Sequence, residues 1–167
     1  MRLFDPKFKE HIANYIIQCL LAMLVIGAVS FMDDAIVNMT VVASLGASTF
    51  IALTMPHTNA SKPRYLIGGY IIGAVFGIIL HSVNARFISA GFMFFGRSPH
   101  IISCAIAVGF TMFVMVLTNF EHPPAAALSM GLVMQQNAAV TALIAVASII
   151  VVSVIKTVFK KRLKNLL

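Results

Sequence analysis

The fold is decided by residues 119–127, NFEHPPAAA, which lie between long apolar segments. This stretch brings together an acidic side chain, an imidazole and two prolines. Proline needs no backbone N–H in the first turn of a helix, so Pro123 and Pro124 can open the alanine-rich segment that follows. The stretch predicts a helix that starts at this turn, with its unpaired N–H groups directed back at Glu121 and His122.

The segments on either side have the composition of membrane spans. Apolar residues make up 60% of the 167 residues and charged residues 10%, and the mean hydropathy is +0.97. These values indicate an integral membrane protein rather than a soluble domain. A spanning helix needs about 20 apolar residues, and the runs that lack Lys, Arg, Asp and Glu are 12–32, 35–55, 65–83, 101–117 and 138–155. The first run is too long for the apolar core of a secretory signal.

The charged residues predict the orientation of the chain in the membrane. Basic residues crowd both termini, with Arg2, Lys7 and Lys9 at the start and five Lys or Arg residues within 156–164. Because cytoplasmic flanks are enriched in Lys and Arg, both termini are expected on the cytoplasmic side of a bacterial inner membrane. The chain would then cross the membrane an even number of times. The net charge of +7 therefore reports topology, and no nucleic-acid partner is indicated.

We expect an all-α polytopic membrane bundle built from six hydrophobic segments in a single membrane domain. Its parts are a first half-repeat (1–83), an interfacial connector (84–100) and a second half-repeat (101–167). Each half contains a short or broken helix, which starts near Gly46 in the first half and near Pro124 in the second. Two inverted three-helix repeats are therefore one interpretation, because such repeats with broken helices are common in transporters.

A second topology satisfies the same charge pattern. Four helices would cross the membrane, and the segments after Gly46 and Pro124 would dip in and return. Asn59 distinguishes the two, since it is cytoplasmic with six crossings and non-cytoplasmic with four. Asp33 and Asp34 are expected to form a turn on the non-cytoplasmic side and to cap the next helix.

Small residues and cysteines indicate how the helices pack. Gly69, Gly73 and Gly77 are spaced by four, so they share one helix face and allow another helix to approach closely. Cys19 and Cys104 lie in apolar segments without a CxxC or Cys/His metal spacing. We expect them to be small buried hydrophobic residues rather than a disulfide or a ligand pair.

The two helix starts form the candidate binding site. A helix N-terminus offers about half a positive charge and free N–H donors, which suit an anion. The predicted binding residues are Asn119, His122, Pro123, Pro124 and Ala125 at the second start, with Gly46, Ala47, Ser48 and Thr49 at the first. For the first start, a seam of small packing residues is the alternative.

His122 is the candidate for proton coupling, because its unperturbed pKa of about 6.5 allows proton exchange near neutrality. Glu121 is the second predicted coupling residue, and it or Asn119 could orient the imidazole. Lys62 and Arg64 are the predicted entrance, where basic residues raise the local anion concentration. The alternative for His122 is a helix cap that binds a backbone carbonyl.

These residues resemble a known family. Residues 119–126, NFEHPPAA, look like the signature of the HPP integral membrane family, and residues 45–48 (LGAS), 62–64 (KPR) and 67–69 (IGG) resemble further family segments in the same order. The resemblance covers residues 42–133 and implies a small multi-helix membrane protein, often regarded as a transporter, with nitrite transport linked to plastid relatives. Glu121 departs from the family, which often has an apolar residue at this position.

The favoured hypothesis is a membrane transporter or channel for a small inorganic anion such as nitrite or nitrate, with proton linkage. The alternative is a non-transporting scaffold or assembly subunit whose glycine-rich faces bind partner helices. The sequence shows no HExxH motif, paired Cys/His ligands, Ser/His/Asp arrangement or strand-flanked phosphate loop, so no enzyme, metal site or cofactor is predicted. The predicted partners are the lipid bilayer and the anion, and a homodimer is left open.

Overall fold

The computed structural model describes residues 8–32, 39–93 and 98–166. These residues form α1 Phe8–Met32, α2 Met39–Thr54, a 3-10 turn Asn59–Ser61, α3 Pro63–Ser89, α4 His100–Thr118, α5 Pro123–Val133 and α6 Ala138–Phe159. By length and composition α3, α4 and α6 can cross a membrane, whereas α2, α5 and the apolar part of α1 are shorter. The predicted all-α membrane bundle is confirmed. The predicted turn at Asp33 and Asp34 lies outside the described residues.

α3 extends further than the sequence predicts. The predicted connector begins at residue 84, but α3 continues through Ser89. Ser82 and Asn84 in this last part each have a hydrogen-bond partner, within the helix or on α4. The Ser82 hydroxyl donates to the carbonyl four residues earlier, and Asn84 is buried beside His100 at 2.8 Å. Polar residues with such partners do not end a helix.

The packing of α3 against α5 leaves no room for a side chain at the glycine positions of α3. Gly69, Gly73 and Gly77 lie on one face of α3, as their spacing predicts, and this glycine face contacts α5. A Cβ atom on Gly73 would overlap the carbonyl oxygen of Ala125, and one on Gly77 would lie 2.7 Å from the Cβ of Leu132. The two helices run parallel, because higher-numbered glycines contact higher-numbered residues of α5.

α2 packs against α5 and runs in the opposite direction. Thr40 and Val41, near its start, contact Gly131 near the end of α5. Ser48, further along α2, hydrogen bonds to His122 directly before α5. Each of these two helices therefore runs through the bundle in one direction, and neither turns back as the re-entrant alternative requires.

The predicted helix start near Gly46 is wrong. α2 is continuous over 16 residues, and Gly46 lies near its middle. A Cβ atom on Gly46 would meet nothing within 4 Å, so this glycine serves neither a turn nor close packing. The polar residues near Gly46, Ser44 and Ser48, are buried and hydrogen bonded inside the bundle. The start at Pro123 is confirmed, and the inverted repeat stays a prediction.

The first turns of α1, the loop between α2 and α3 and the C-terminal tail meet at one end of the bundle. The Tyr15 hydroxyl donates to the Leu166 carbonyl at 2.8 Å, and the Leu166 N–H donates to the Thr54 carbonyl at 2.8 Å. The His57 imidazole reaches another carbonyl of the tail at 3.1 Å. We call this the basic end, because the Lys and Arg residues of 156–164 belong to it.

The two cysteines differ in their surroundings. Cys104 is buried, as predicted, whereas Cys19 is exposed on α1. The prediction is wrong for Cys19 because α1 lies at the edge of the bundle, with Ile16, Leu20 and Met23 also exposed. Such an apolar outer face is the surface expected of a helix in contact with lipid.

Replacing Gly73 by Ala should destabilise the bundle, because the added methyl group overlaps the Ala125 carbonyl oxygen. We expect a loss of about 1–3 kcal/mol, the range for overpacked cores, read as a lower melting midpoint of the protein in detergent. Gly109→Ala is the matched control, since a Cβ atom there meets nothing within 4 Å. Equal melting midpoints for the two variants would contradict the close packing of α5 on α3.

A cysteine in place of Asn59 should be labelled from the cytoplasm. In a background with Cys19 and Cys104 replaced by Ser, an impermeant maleimide should react only in inside-out vesicles. A cysteine in place of Asn165 should be labelled from the same side. The Asn165 side chain accepts a hydrogen bond from the backbone N–H of His57, so Asn165 and the loop that contains Asn59 lie at the same end of the bundle. Labelling of the two positions from opposite sides is the result that the fold does not allow.

Candidate functional site: a buried serine, tyrosine and histidine cluster

The connection between α4 and α5 turns His122 into the bundle. Asn119 ends α4 in the left-handed conformation (φ 55°, ψ 47°), which Asn adopts more readily than most residues. His122 follows with φ −144° and ψ 88°, and Pro123 begins α5. As a result His122 is fully buried, while Asn119 and Glu121 remain exposed.

Four side chains from α2, α3 and this connection form a buried polar cluster: Ser44, Ser48, Tyr70 and His122. Ser48 Oγ lies 2.8 Å from His122 Nε2 and 2.9 Å from the Tyr70 hydroxyl. The Tyr70 hydroxyl also lies 2.9 Å from Ser44 Oγ, and Ser44 donates to the Pro124 carbonyl at 2.7 Å. No member of the cluster is more than 1% exposed. Hydrogen bonds therefore join α2, α3 and the start of α5 in the bundle interior.

The positions of the hydroxyl protons in the polar cluster follow from the acceptors that lie near them. Ser44 has one hydroxyl proton, which goes to the Pro124 carbonyl. The Ser48 proton has several acceptors within reach, among them the Ser44 carbonyl at 2.9 Å and His122 Nε2. The cluster therefore accepts either neutral tautomer of His122. In both tautomers Nδ1 is buried without a partner, so it is the ring nitrogen open to a ligand.

The prediction of free N–H groups at the start of α5 is wrong. Pro123 and Pro124 have no N–H to offer, and the Ala125 N–H donates to the His122 carbonyl at 2.9 Å. The donors available here are therefore the hydroxyl and imidazole groups of the polar cluster rather than the backbone of a helix N-terminus.

A cavity of about 240 Å³ lies between the end of α4 and the start of α5. It is lined by Met112, Met115, Val116, Glu121, His122, Pro123 and Ala126. Most of this lining is apolar, and Glu121 places a carboxyl group on one wall. His122 is the residue that the cavity and the polar cluster share.

Burial changes the acid–base behaviour of His122, which lies in a connection outside the membrane-spanning helices. Because burial disfavours the charged imidazolium, it lowers the pKa of His122 from 6.5 to about 4. The side chain is therefore neutral at pH 7 in the absence of a ligand. A negative charge bound beside it would favour the imidazolium and raise this pKa again.

The structure brings together only part of the predicted binding set. Ser48, His122 and the Pro124 carbonyl meet in the polar cluster, and Ala125 packs against the glycine face of α3. The remaining predicted residues lie outside the cluster: Gly46 is half-buried, Ala47, Asn119 and Pro123 are exposed, and Thr49 is buried with its hydroxyl unpaired.

Sequence reasoning missed Tyr70, which joins both serines. A tyrosine inside an apolar, glycine-rich segment must find a partner for its hydroxyl, and that signal was present. Ser44 lies one helical turn before Ser48, so it was also available as a member of the same helix face.

The predicted entrance residues lie at the basic end. Lys62 and Arg64 are exposed at the start of α3, and the Arg64 guanidinium lies 4.9 Å from the centre of the Phe120 ring. Lys156 on α6 is only 2% exposed, and Lys62 and Lys160 interact electrostatically with it. Positive charge therefore extends from the start of α3 to the end of α6.

Comparisons with known proteins agree on the class of protein. The family described as "HPP, transmembrane region" matches residues 7–166. A transmembrane protein of Dictyostelium discoideum is 29% identical over 113 residues, which are 67% of this chain and 36% of that protein. The chain thus spans about a third of this relative's length. No solved structure matches the chain. Since the family match covers nearly the whole chain, this protein belongs to the HPP family of integral membrane proteins.

Proposed function

We propose that the protein is a membrane transporter or channel for a small inorganic anion such as nitrite or nitrate, with proton linkage through His122. The observation that carries the proposal is the polar cluster, whose four side chains are buried in a mostly apolar bundle. Polar and ionisable groups are costly inside membrane proteins and mark the paths of ions and protons. The family membership supports the same class of function.

The groups of the polar cluster favour an anion over a metal cation. Ser44, Ser48 and Tyr70 contribute neutral hydroxyl groups around His122, and His122 Nδ1 can offer a ring N–H to an anion. No carboxylate belongs to the cluster. Nitrite and nitrate accept hydrogen bonds and donate none, so a site that offers hydrogen-bond donors can bind them.

Proton linkage follows from the burial of His122. Without a ligand the imidazole is neutral at pH 7, since its pKa is about 4. An anion that binds beside Nδ1 favours the imidazolium, which has two N–H donors. The anion and the proton therefore bind together, and the pair is neutral. Because the imidazolium offsets the charge of the anion, the anion is held inside the apolar bundle at a lower free-energy cost than an isolated charge.

Two groups of opposite charge act on an approaching anion. Lys62, Arg64 and Lys156 attract it to the basic end, whereas the carboxylate of Glu121 on the cavity wall repels it. Glu121→Gln would remove this repulsion.

The scaffold alternative depends on glycine faces that are free to bind partner helices. Gly69, Gly73 and Gly77 are instead covered by α5 of the same chain. This use of the glycine face removes the main sequence feature that favoured a scaffold.

Tyr70→Phe and Ser48→Ala should each reduce anion flux into proteoliposomes by about tenfold, because a hydrogen bond to a charged group contributes about 1.5–3 kcal/mol. Tyr65→Phe, on the same helix but half-buried, and Ser82→Ala, an exposed serine of α3, are the matched controls. Flux is measured for nitrite and nitrate under pH and voltage gradients. Absence of flux in the unaltered protein for both anions, or equal flux in all four variants, would count against the proposal.

Anion flux should rise as the pH on the entry side falls from 7 to 5. The protonated fraction of His122 increases about tenfold per pH unit while the pH stays above its pKa. His122→Gln should give low flux without this dependence, and Glu121→Gln should raise flux at pH 7. A pH-independent flux in the unaltered protein would exclude proton linkage through His122.

A melting series shows whether His122 is neutral in the folded state. The pKa of His122 is lower in the folded protein than in the unfolded chain. The contribution of His122 to the free energy of unfolding is therefore complete above pH 6.5 and is lost as the pH falls toward 4. The full difference is about 3 kcal/mol at about 1.4 kcal/mol per pKa unit. The melting midpoint should fall over this range, and His122→Gln should remove the contribution. If melting shows this dependence but flux does not, the role of His122 is structural.

A further inference from the structure

A second cavity, of about 550 Å³, lies at the end of the α4 and α5 pair that is away from the basic end. We call it the upper cavity. Four of the residues that line it carry nitrogen or sulfur donor atoms: His100, Cys104, Met130 and Met134. None of the four belongs to the polar cluster, so the proposed anion path does not explain them.

The four residues come in two pairs with the spacing of one helical turn. His100 and Cys104 are four residues apart on α4, so they lie on the same face of that helix. Met130 and Met134 are four residues apart at the end of α5. Cys104 Sγ lies 3.8 Å from the Met130 carbonyl oxygen, which brings the two pairs to opposite sides of the same cavity.

Asn84 contacts His100, and one of the two orientations of its carboxamide leaves His100 Nε2 free to bind a metal. Asn84 is only 2% exposed, its Nδ2 lies 2.8 Å from His100 Nδ1, and its Oδ1 is buried without a partner. A half-turn of the carboxamide puts Oδ1 against Nδ1 and leaves Nδ2 as the buried atom without a partner, so hydrogen bonding alone allows both orientations. In the turned orientation the His100 proton lies on Nδ1, and Nε2 keeps a free lone pair. Histidines that bind metals are oriented by such a bond from the other ring nitrogen.

We propose that the upper cavity binds one Cu(I) ion through His100 Nε2, Cys104 Sγ and the thioether sulfurs of Met130 and Met134. Thiolate and thioether ligands are soft and select Cu(I) over harder ions. The Cys104 thiol releases its proton to solvent as the copper–sulfur bond forms, and the ion keeps its oxidation state. The two flexible methionines close around the ion.

Other metals fit this ligand set less well. Among the described residues, no three His, Cys, Asp or Glu side chains gather as a metal site. A structural zinc site needs four such ligands, so the thioethers must complete the coordination here. The sequence pattern predicts no metal site, since two of the proposed ligands are methionines on a different helix from His100 and Cys104.

Cu(I) binding to the purified full-length protein in detergent tests the site. Cu(I) is titrated without oxygen against a chromophoric Cu(I) chelator, and the copper environment is measured by X-ray absorption. We expect one Cu(I) per chain with both sulfur and nitrogen ligands. Failure to retain one Cu(I) per chain against the chelator, or a ligand shell without sulfur, overturns the proposal. The readout is metal binding, so it stands or falls separately from anion flux.

Variants assign the ligands. Cys104→Ser and Met130→Leu should each lower the Cu(I) affinity, whereas Cys19→Ser, at the exposed cysteine of α1, should leave it unchanged. Met130→Leu keeps the size of the side chain, so it tests the thioether even if Cys104→Ser fails to fold. Unchanged affinity in Met130→Leu, or loss of binding in Cys19→Ser, overturns the proposal.

The role of Asn84 is tested by a pair of substitutions. Asn84→Leu removes the acceptor for Nδ1–H and should weaken Cu(I) binding by about 10- to 100-fold, the usual effect of losing such a partner. Asn84→Asp keeps an oxygen acceptor and should retain most of the affinity. Equal affinities in the two variants contradict the positioning role of Asn84.

Discussion

The contact between α5 and the glycine face of α3 is the constraint on which the rest of the structure depends. Backbone atoms of the two helices meet where Gly73 faces the Ala125 carbonyl, and a single methyl group there would overlap that oxygen. Because α5 is only 11 residues long, it has few other residues with which to secure its position. Close packing of small residues is the main source of helix association in a membrane, where burial of apolar surface gives little driving force.

This contact also determines the depth of His122. The imidazole precedes α5 directly, and its Cβ lies against Gly69, where any side chain on α3 would collide with it. Ser44 and Ser48 of α2 then reach the Pro124 carbonyl and the imidazole, and Tyr70 bridges the two serines. The hydrogen bonds reinforce the packing, since each polar group would be costly to bury without its partner. The polar cluster is thus a consequence of how closely α5 approaches its neighbours.

Sequence patterns predicted those features that depend on local chemistry. The paired prolines predicted the start of α5, and the spacing of Gly69, Gly73 and Gly77 predicted the close helix contact. Gly46 misled because glycine in a buried helix is tolerated without a turn, and the choice between a break and a continuous helix depends on partners for the nearby serines. These partners are Tyr70, His122 and the Pro124 carbonyl, which are distant in sequence and become neighbours only through the fold.

The proposed function depends on one ring nitrogen of His122 that has no hydrogen-bond partner. Without a ligand its Nε2 is bonded to Ser48 while Nδ1 is buried without a partner, and such a group costs about 1–3 kcal/mol. In the imidazolium both nitrogens donate, so Nε2 can keep its bond to Ser48 while Nδ1 donates to an anion. Binding of an anion together with a proton would therefore remove the cost of the unpaired nitrogen. The polar cluster can stay intact during this step, because the change in partners is confined to the ring nitrogen that it leaves free.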